Sequence, residues 1–313
     1  MNIAFFGASS QIARGLIKNF SRQENNKLYF FVRDKEPFAE WLKGSELDFD
    51  NSKIKTYNEF SRELDFDLLI NCIGAGDPAK AANMSSSIVL ITQKYDEQVL
   101  NYLSSHPNTK YIFLSSGAAY GDIFSSPPKK YTQTTLDTNS IKPEEMYAIS
   151  KIKAELGHRD HPQFSIIDIR IFGYFDTEIS IESRFFLTDA LRSIIEKKTF
   201  ITNKKNFTRD YIGADDLYQL ITLLIAEPRL NLVVDAYSLA PIDKFSMLET
   251  LKRNFDFKYK FEDITVGVNA TGAKDNYYSK NYCAKNYGYQ PSLSSEEIIV
   301  TVANSILLSH SKK

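Results

Sequence analysis

Over the first two thirds of this chain, short runs of β-branched and aromatic residues take turns with longer segments whose apolar residues recur at helical spacing. That alternation produces a parallel sheet covered by helices, and few other folds accommodate it. Ile3 to Phe6, Leu28 to Val32, Ile54 to Tyr57, Asp67 to Ile73, Tyr111 to Leu114 and Phe164 to Ile171 read as strands. Asp67 to Ile73 and Tyr111 to Leu114 are nearly continuous apolar runs, as strands buried on both faces are. Between them come helical patterns. Ile12 to Phe20 places Ile12, Leu16, Ile17 and Phe20 on one face, and Ile88 to Leu103 is closed by His106-Pro107. A third pattern opens near Pro143-Glu144-Glu145, runs to about Leu156 and is expected to stop at Gly157. After Phe172 the alternation weakens. Helices are expected at Arg184 to Lys197, Asp215 to Ala226, Ile242 to Phe255 and Ser295 to Leu308, with short strands at Thr199 to Thr202 and Leu232 to Val234. These suggest a smaller mixed lobe.

Composition excludes several functions. With Lys plus Arg at 38 and Asp plus Glu at 39, no summed positive field exists to hold a nucleic acid. The apolar run Leu217 to Ala226 is interrupted by Tyr218, Gln219 and Thr222 and is far shorter than the roughly 20 residues of a membrane span, so no membrane partner is expected. The first residues show no signal-peptide pattern, which points to the cytoplasm. Cys72 and Cys283 are too few and too distant for a disulfide framework and read as core-filling or incidental. His158 and His161 lie beside Pro162 without a third ligand, so they read as surface histidines and no metal site is expected.

The chemistry concentrates at strand ends. The first strand runs into Gly7-Ala8-Ser9-Ser10-Gln11-Ile12-Ala13 and then a helix, a turn whose backbone N–H groups suit a pyrophosphate. Only the first of three expected glycines is present, and such a turn alone is as often a simple connection. The second strand ends in Val32-Arg33-Asp34, where an acid would bind adenosine ribose and a base would take a 2′-phosphate; Arg33 favours NADP over NAD. A solvated charge pair is an equal alternative there. The run Asn71-Cys72-Ile73-Gly74-Ala75-Gly76 carries small residues that could lie against a flat ligand, and alone is only a flexible loop. Tyr147 and Lys151 are four apart and share a helical face, so an ammonium would favour the phenolate of a tyrosine base. Ser116 could polarise the same substrate oxygen. A chance Tyr-x-x-x-Lys pair is expected among 18 tyrosines, and position in the strand order is what gives this one weight.

Taken in order, Gly7 to Ala13, Ser115 to Gly121, Tyr147 to Lys151, Arg170-Ile171-Phe172 and Arg209-Asp210-Tyr211-Ile212 with Asp215-Asp216-Leu217 resemble the extended short-chain dehydrogenase/reductases, in particular the NAD(P)-dependent nucleotide-sugar epimerase/dehydratase family. The tail Asn286 to Leu293 is similar to the Leu-Gly-Trp-x-Pro stretch that closes many members. The resemblance implies a Rossmann-type doubly wound α/β domain over residues 1–171 and a mixed α/β substrate lobe over 172–313, some of whose segments return to the first domain. It also implies a bound NADP or NAD, a nucleoside diphosphate sugar as substrate, and a homodimer built on the helix of Ile88 to Leu103 and the helix carrying Tyr147.

Carried onto this chain, the resemblance makes Tyr147 the acid/base, Lys151 the ligand of nicotinamide ribose, and Ser116 the hydroxyl partner. Gly7, Ser9, Ser10, Gln11, Ile12, Arg33, Ile73 and Gly74 join Tyr147 and Lys151 around the cofactor. Arg209, and with weaker support Arg184, would bind substrate phosphate beside Ser116. Departures narrow the activity. Members that dehydrate the sugar follow the hydroxyl residue with an Asp-Glu pair, whereas Ser116 is followed by Gly117-Ala118, so 4,6-dehydration is not expected. Tyr57-Asn58-Glu59 stands where many members place an aspartate after the third strand, and Gly173 replaces an asparagine often found after the Arg-x-Phe stretch. The leading expectation is a 4-keto-sugar reductase or an epimerase. Its rival is a dinucleotide-binding regulatory or structural protein that kept the fold and lost turnover.

Overall fold

The protein is described by a computed structural model that covers residues 1–45, 47, 49–74, 84, 86–137, 145–263 and 274–311. Seven parallel strands form the central sheet in the order β3-β2-β1-β4-β5-β6-β9: β1 (Asn2–Phe6), β2 (Lys27–Val32), β3 (Ile54–Thr56), β4 (Leu68–Asn71), β5 (Lys110–Ser116), β6 (Ser165–Ile171) and β9 (Asn231–Asp235). The order reverses at β1, between β2 and β4, which opens a crevice at the carboxyl edge where such sheets bind ligands.

Alternate residues of each strand face opposite cores, which is why the strands read as continuous apolar runs. Ile3, Phe5, Phe30, Ile70, Ile112 and Ile167 share one core with Leu16, Ile17, Leu217 and Leu220. Ala4, Phe6, Phe31, Leu69, Tyr111 and Phe113 share the other with Val99, Leu103 and Ala154. The covering helices are α1 (Gln11–Phe20), α2 (Lys35–Gly44), α3 (Ser87–Leu103), α4 (Met146–Arg159) and α6 (Ala214–Ala226). A third core of Phe175, Leu187, Leu191, Met247, Leu251 and Ile299 gathers α5 (Phe186–Ile195), α7 (Lys244–Asn254) and α8 (Ser295–Ser311). Two small sheets complete the lobe: β10 (Ile242–Asp243), β8 (Thr208–Arg209) and β12 (Asn276–Tyr277) in one, β11 (Tyr259–Phe261) and β7 (Phe200–Thr202) in the other.

Several elements differ from their sequence expectations. The strand read at Leu232 to Val234 is β9 of the main sheet, and the helix read at Asp215 to Ala226 packs on α1, so both return to the first domain. α4 does not stop at Gly157 but continues to Arg159, since one interior glycine costs only about 1 kcal/mol against surrounding packing. Its expected opening at Pro143-Glu144 lies outside the described residues. The helix read from Ile242 begins at Lys244, because Asp243 caps it by accepting from Phe245 N and Ser246 N, and Ile242 is in a strand. α2, with Phe38 and Leu42 buried, has no counterpart among the helices the periodicity predicts.

Candidate active site

The turn after β1 requires its glycine. Gly7 has φ +73°, and a Cβ there would lie 3.0 Å from Ile73 N and 3.1 Å from the Cys72 carbonyl carbon. Ser10 caps α1, its hydroxyl accepting from Ala13 N at 3.3 Å, and the positive end of the helix faces the turn. This cradle fits a dinucleotide phosphate. Ser9 is exposed, and Ser10 and Ile12 are half-buried around it. The Gln11 side chain turns away and donates to Asp176 Oδ1 at 3.2 Å, leaving its backbone for a ligand. Close packing of helix on strand, expected of Ala13, is shared with Gly15, where a Cβ would collide with the Tyr174 hydroxyl and Asp176. Nothing in the local sequence marks that glycine as required. Burial raises the Asp176 carboxyl to about 6 against hydrogen bonds from Tyr174 and Gln11. Arg33 is exposed at the end of β2, near enough to Tyr57 to act on its phenol.

Ser116 ends β5 and caps the helical turn Gly117–Tyr120, its Oγ accepting from Ala118 N at 3.2 Å. α4 carries Tyr147 and Lys151 past this strand end. Lys151 is 2% exposed; its ammonium donates to Leu114 O at 2.8 Å and Ile73 O at 3.4 Å and sits 4.4 Å from the centre of the Phe113 ring. Burial lowers it to about 8 against the attraction of Asp96 and other acids. The expected depression of Tyr147 is not observed: burial raises its phenol, and the Ser116 hydroxyl is the group that pulls the other way. The ammonium is engaged by backbone carbonyls instead. Gly74 passes close to it, a Cβ there falling 3.4 Å from Lys151 Nζ.

Two residues overlooked in the sequence join this cluster. Tyr277 Oη lies 3.1 Å from Ser116 Oγ, and Lys274 Nζ is 4.9 Å from the Tyr277 ring centre. Tyr277 is the register partner of Arg209 on the adjoining strand, which places the Arg209 guanidinium 6.0 Å from the same ring. The Arg209 motif was the one signal that could have led there. A pocket opens beside Arg209, walled by Phe172, Phe175, Phe185, Phe186 and Phe207. Arg184 is exposed on the approach to α5, near Asp189 rather than in that wall.

Two of the departures from the family pattern coincide with steric constraints. A Cβ at Gly117 would meet the Phe172 ring at 2.5 Å, and one at Gly173 would meet Asp210 O at 2.5 Å. An acid at 117 would have to displace the Phe172 ring, and an asparagine at 173 the Asp210 backbone. His158 overturns its expectation as a surface residue: it is fully buried, Nδ1 2.6 Å from Asp168 and Nε2 2.8 Å from Asp96. Its helix face, packed against α3 and β6, decides this rather than the polar residues that follow it.

Residues 3–240 match the model of the NAD dependent epimerase/dehydratase family. The chain therefore belongs to the NAD-dependent epimerase/dehydratase family, enzymes of the extended short-chain dehydrogenase/reductase type. Solved structures share its fold. UDP-glucuronic acid 4-epimerase from Bacillus cereus, in complex with NAD and a fluorinated UDP-glucuronic acid, is 14% identical over 99% of this chain and 100% of its own, with a TM-score of 0.79. UDP-glucose 4-epimerase from Bifidobacterium longum, in complex with NAD+ and UDP, is 17% identical over 100% and 99%, with a TM-score of 0.77. A dTDP-glucose 4,6-dehydratase from Bacillus anthracis, in complex with NAD, is 14% identical over 100% and 98%, with a TM-score of 0.76. No curated protein matches the sequence. Among the described residues no helix is long and apolar enough to cross a membrane, and no group of three or more His, Cys, Asp or Glu could hold a metal ion.

Proposed function

We propose that the protein oxidises or reduces a nucleoside diphosphate sugar at a carbinol carbon, as an epimerase or a 4-keto-sugar reductase and not as a 4,6-dehydratase. The observation that carries this reading is the placement of Ser116 at the carboxyl end of β5 beside α4, whose Lys151 donates to Leu114 O two residues before that serine and whose Tyr147 lies one helical turn earlier. Tyr147 takes the proton of the sugar hydroxyl as the carbonyl forms and returns it when the carbonyl is reduced. Ser116 donates a hydrogen bond to the same oxygen. Bound NADP or NAD would supply the hydride acceptor in its oxidised form and the hydride donor in its reduced form. Gly7, Ser9, Ser10, Gln11 and Ile12 would hold its phosphates, Ile73 and Gly74 its nicotinamide side, and Lys151 its ribose.

Arg33 at the end of β2 favours NADP through a 2′-phosphate. Buried Arg209, opposite Tyr277, pairs with the substrate diphosphate, the nucleoside end reaching into the adjoining aromatic pocket; exposed Arg184, beside Asp189, would assist only by moving toward it. Against dehydration stands the Phe172 ring, which leaves no room at position 117 for a proton-transferring acid. Residues 1–171 form the dinucleotide domain, joined by β9 and α6, and the rest of 172–313 the substrate lobe. Leu90 on α3 and Leu156 on α4, 66% and 51% exposed on packed neighbouring helices, support a homodimer, and the two unpaired cysteines are compatible with a reducing, cytoplasmic location.

The test is turnover of UDP-glucose, UDP-glucuronic acid and their 4-keto derivatives with NAD and NADPH. Tyr147→Phe is expected to lower kcat by about a hundredfold or more, the scale of lost acid/base catalysis. Unchanged turnover would remove Tyr147 from the chemistry; dinucleotide binding without turnover of any of these sugars would favour a regulatory role.

A further inference from the structure

Ser116 and Tyr277 come from opposite parts of the molecule, one at the end of a central strand and the other on a two-residue strand of the lobe, yet both are buried, at 6% and 5% exposure. Tyr277 has little freedom to aim elsewhere. Its backbone pairs with β8, Asn276 N donates to Phe124 O at 3.0 Å, and Asn276 Nδ2 donates to Ser125 O at 2.8 Å. Two residues on, Ser279 Oγ donates to the buried Asp235 carboxylate at 2.5 Å, tying the segment to the edge of the main sheet. The ring is boxed by Phe124 and Phe172, with centroids 4.8 and 5.4 Å away.

A serine hydroxyl has one proton to give and two lone pairs to fill. Ala118 N–H occupies one lone pair of Ser116. If Ser116 donated to Tyr277, it would have no proton left for a sugar oxygen. If Tyr277 donates, both lone pairs are filled and the serine proton is the one direction left open, toward Tyr147 and the site. The second arrangement agrees with the direction in which Ser116 acts on Tyr147, since donation by the serine favours the phenolate. Burial holds Tyr277 well above an ordinary phenol, so it keeps its proton to donate.

We propose that Tyr277 is a positioning residue for the reaction, its phenol donating to Ser116 Oγ so that the serine proton is delivered to the reacting sugar oxygen. This rests on the assignment of Ser116 and Tyr147 to substrate chemistry under the proposed function. Tyr277→Phe keeps the boxed ring and removes the donor. With UDP-glucose and UDP-glucuronic acid as probes, kcat is expected to fall about tenfold, the worth of one oriented hydrogen bond, with KM unchanged. In a Ser116→Ala background the same substitution is expected to cost nothing further.

An equal loss in both backgrounds, or none in the wild type, overturns the proposal while leaving Tyr147 in place. Full activity of Tyr147→Phe overturns the assignment of the site itself. Neutron diffraction from the deuterated protein tests the direction of the hydrogen bond without substrate: deuterium on Tyr277 Oη aimed at Ser116 is expected, and Ser116 donating to Tyr277 overturns the proposal.

Discussion

His158 Nδ1 stands 2.6 Å from Asp168 Oδ1, on an imidazole that solvent does not reach. Its other nitrogen is 2.8 Å from Asp96, which also accepts from the Tyr111 hydroxyl at 2.7 Å. The three residues tie α3, α4 and β6 together at the far end of the helix that carries Tyr147 and Lys151. Burial alone would push the imidazole down, but the two carboxylates outweigh it and raise it to about 10. A group whose folded pKa is raised contributes fully below its unfolded value and loses that contribution as pH climbs to the folded one. Stability is therefore expected to decline between about 6.5 and about 10. His158→Gln should cost about 3 kcal/mol or more near neutrality, since it leaves buried Asp96 without its cation and Asp168 with Arg159 alone, and should flatten this decline. Thermal melts across that range decide the matter: parallel pH profiles for the two proteins would exclude a charged His158.

Gly117→Asp tests whether the missing acid alone separates this chain from a dehydratase. With the Phe172 ring 2.5 Å from where Cβ must go, overpacking is expected to destabilise the protein by about 1–3 kcal/mol, read as a lower urea midpoint. No 4-keto-6-deoxy product should form from dTDP-glucose in either protein, and its appearance in the wild type would refute the exclusion of dehydration.

At Gly7 the turn is strained for any other residue. Gly7→Ala combines φ +73° with contacts of 3.0 and 3.1 Å to Ile73 and Cys72, just past the end of β4. Strain of about 1–3 kcal/mol is expected, with displacement of the phosphate-binding backbone. Calorimetric titration with NAD and NADP should show binding weakened by about tenfold or more. Native affinity in a stable variant would remove the turn from the cofactor site.

Arg33 makes the cofactor preference testable. If its guanidinium meets a 2′-phosphate, Arg33→Ala should weaken NADP by about tenfold or more, the value of a charge-assisted hydrogen bond, and leave NAD within about twofold. Equal losses for both dinucleotides would refute the assignment.

Much of this protein is determined locally. Alternating apolar runs make Ile3 to Phe6 and Tyr111 to Leu114 strands buried on both faces because each successive side chain turns to the opposite core. Tyr147 and Lys151 share a helix because their spacing matches its period, and Gly7 marks the turn because no other residue takes its backbone cheaply. What the tertiary structure alone decided depends on contacts between distant segments. Tyr277 has no local motif and reaches Ser116 only because a two-residue strand pairs with Arg209. His158 is polar in a polar stretch, and becomes a buried link between two carboxylates only where α3 and β6 bring Asp96 and Asp168 to it. Gly117 and Gly173 stand out in the sequence only as departures from the family pattern, and are required because Phe172 and the Asp210 carbonyl fill the space a side chain would need. Periodicity and turn chemistry act between neighbours in the chain, whereas hydrogen-bond partners, burial and steric room are set by whichever residues the fold brings alongside.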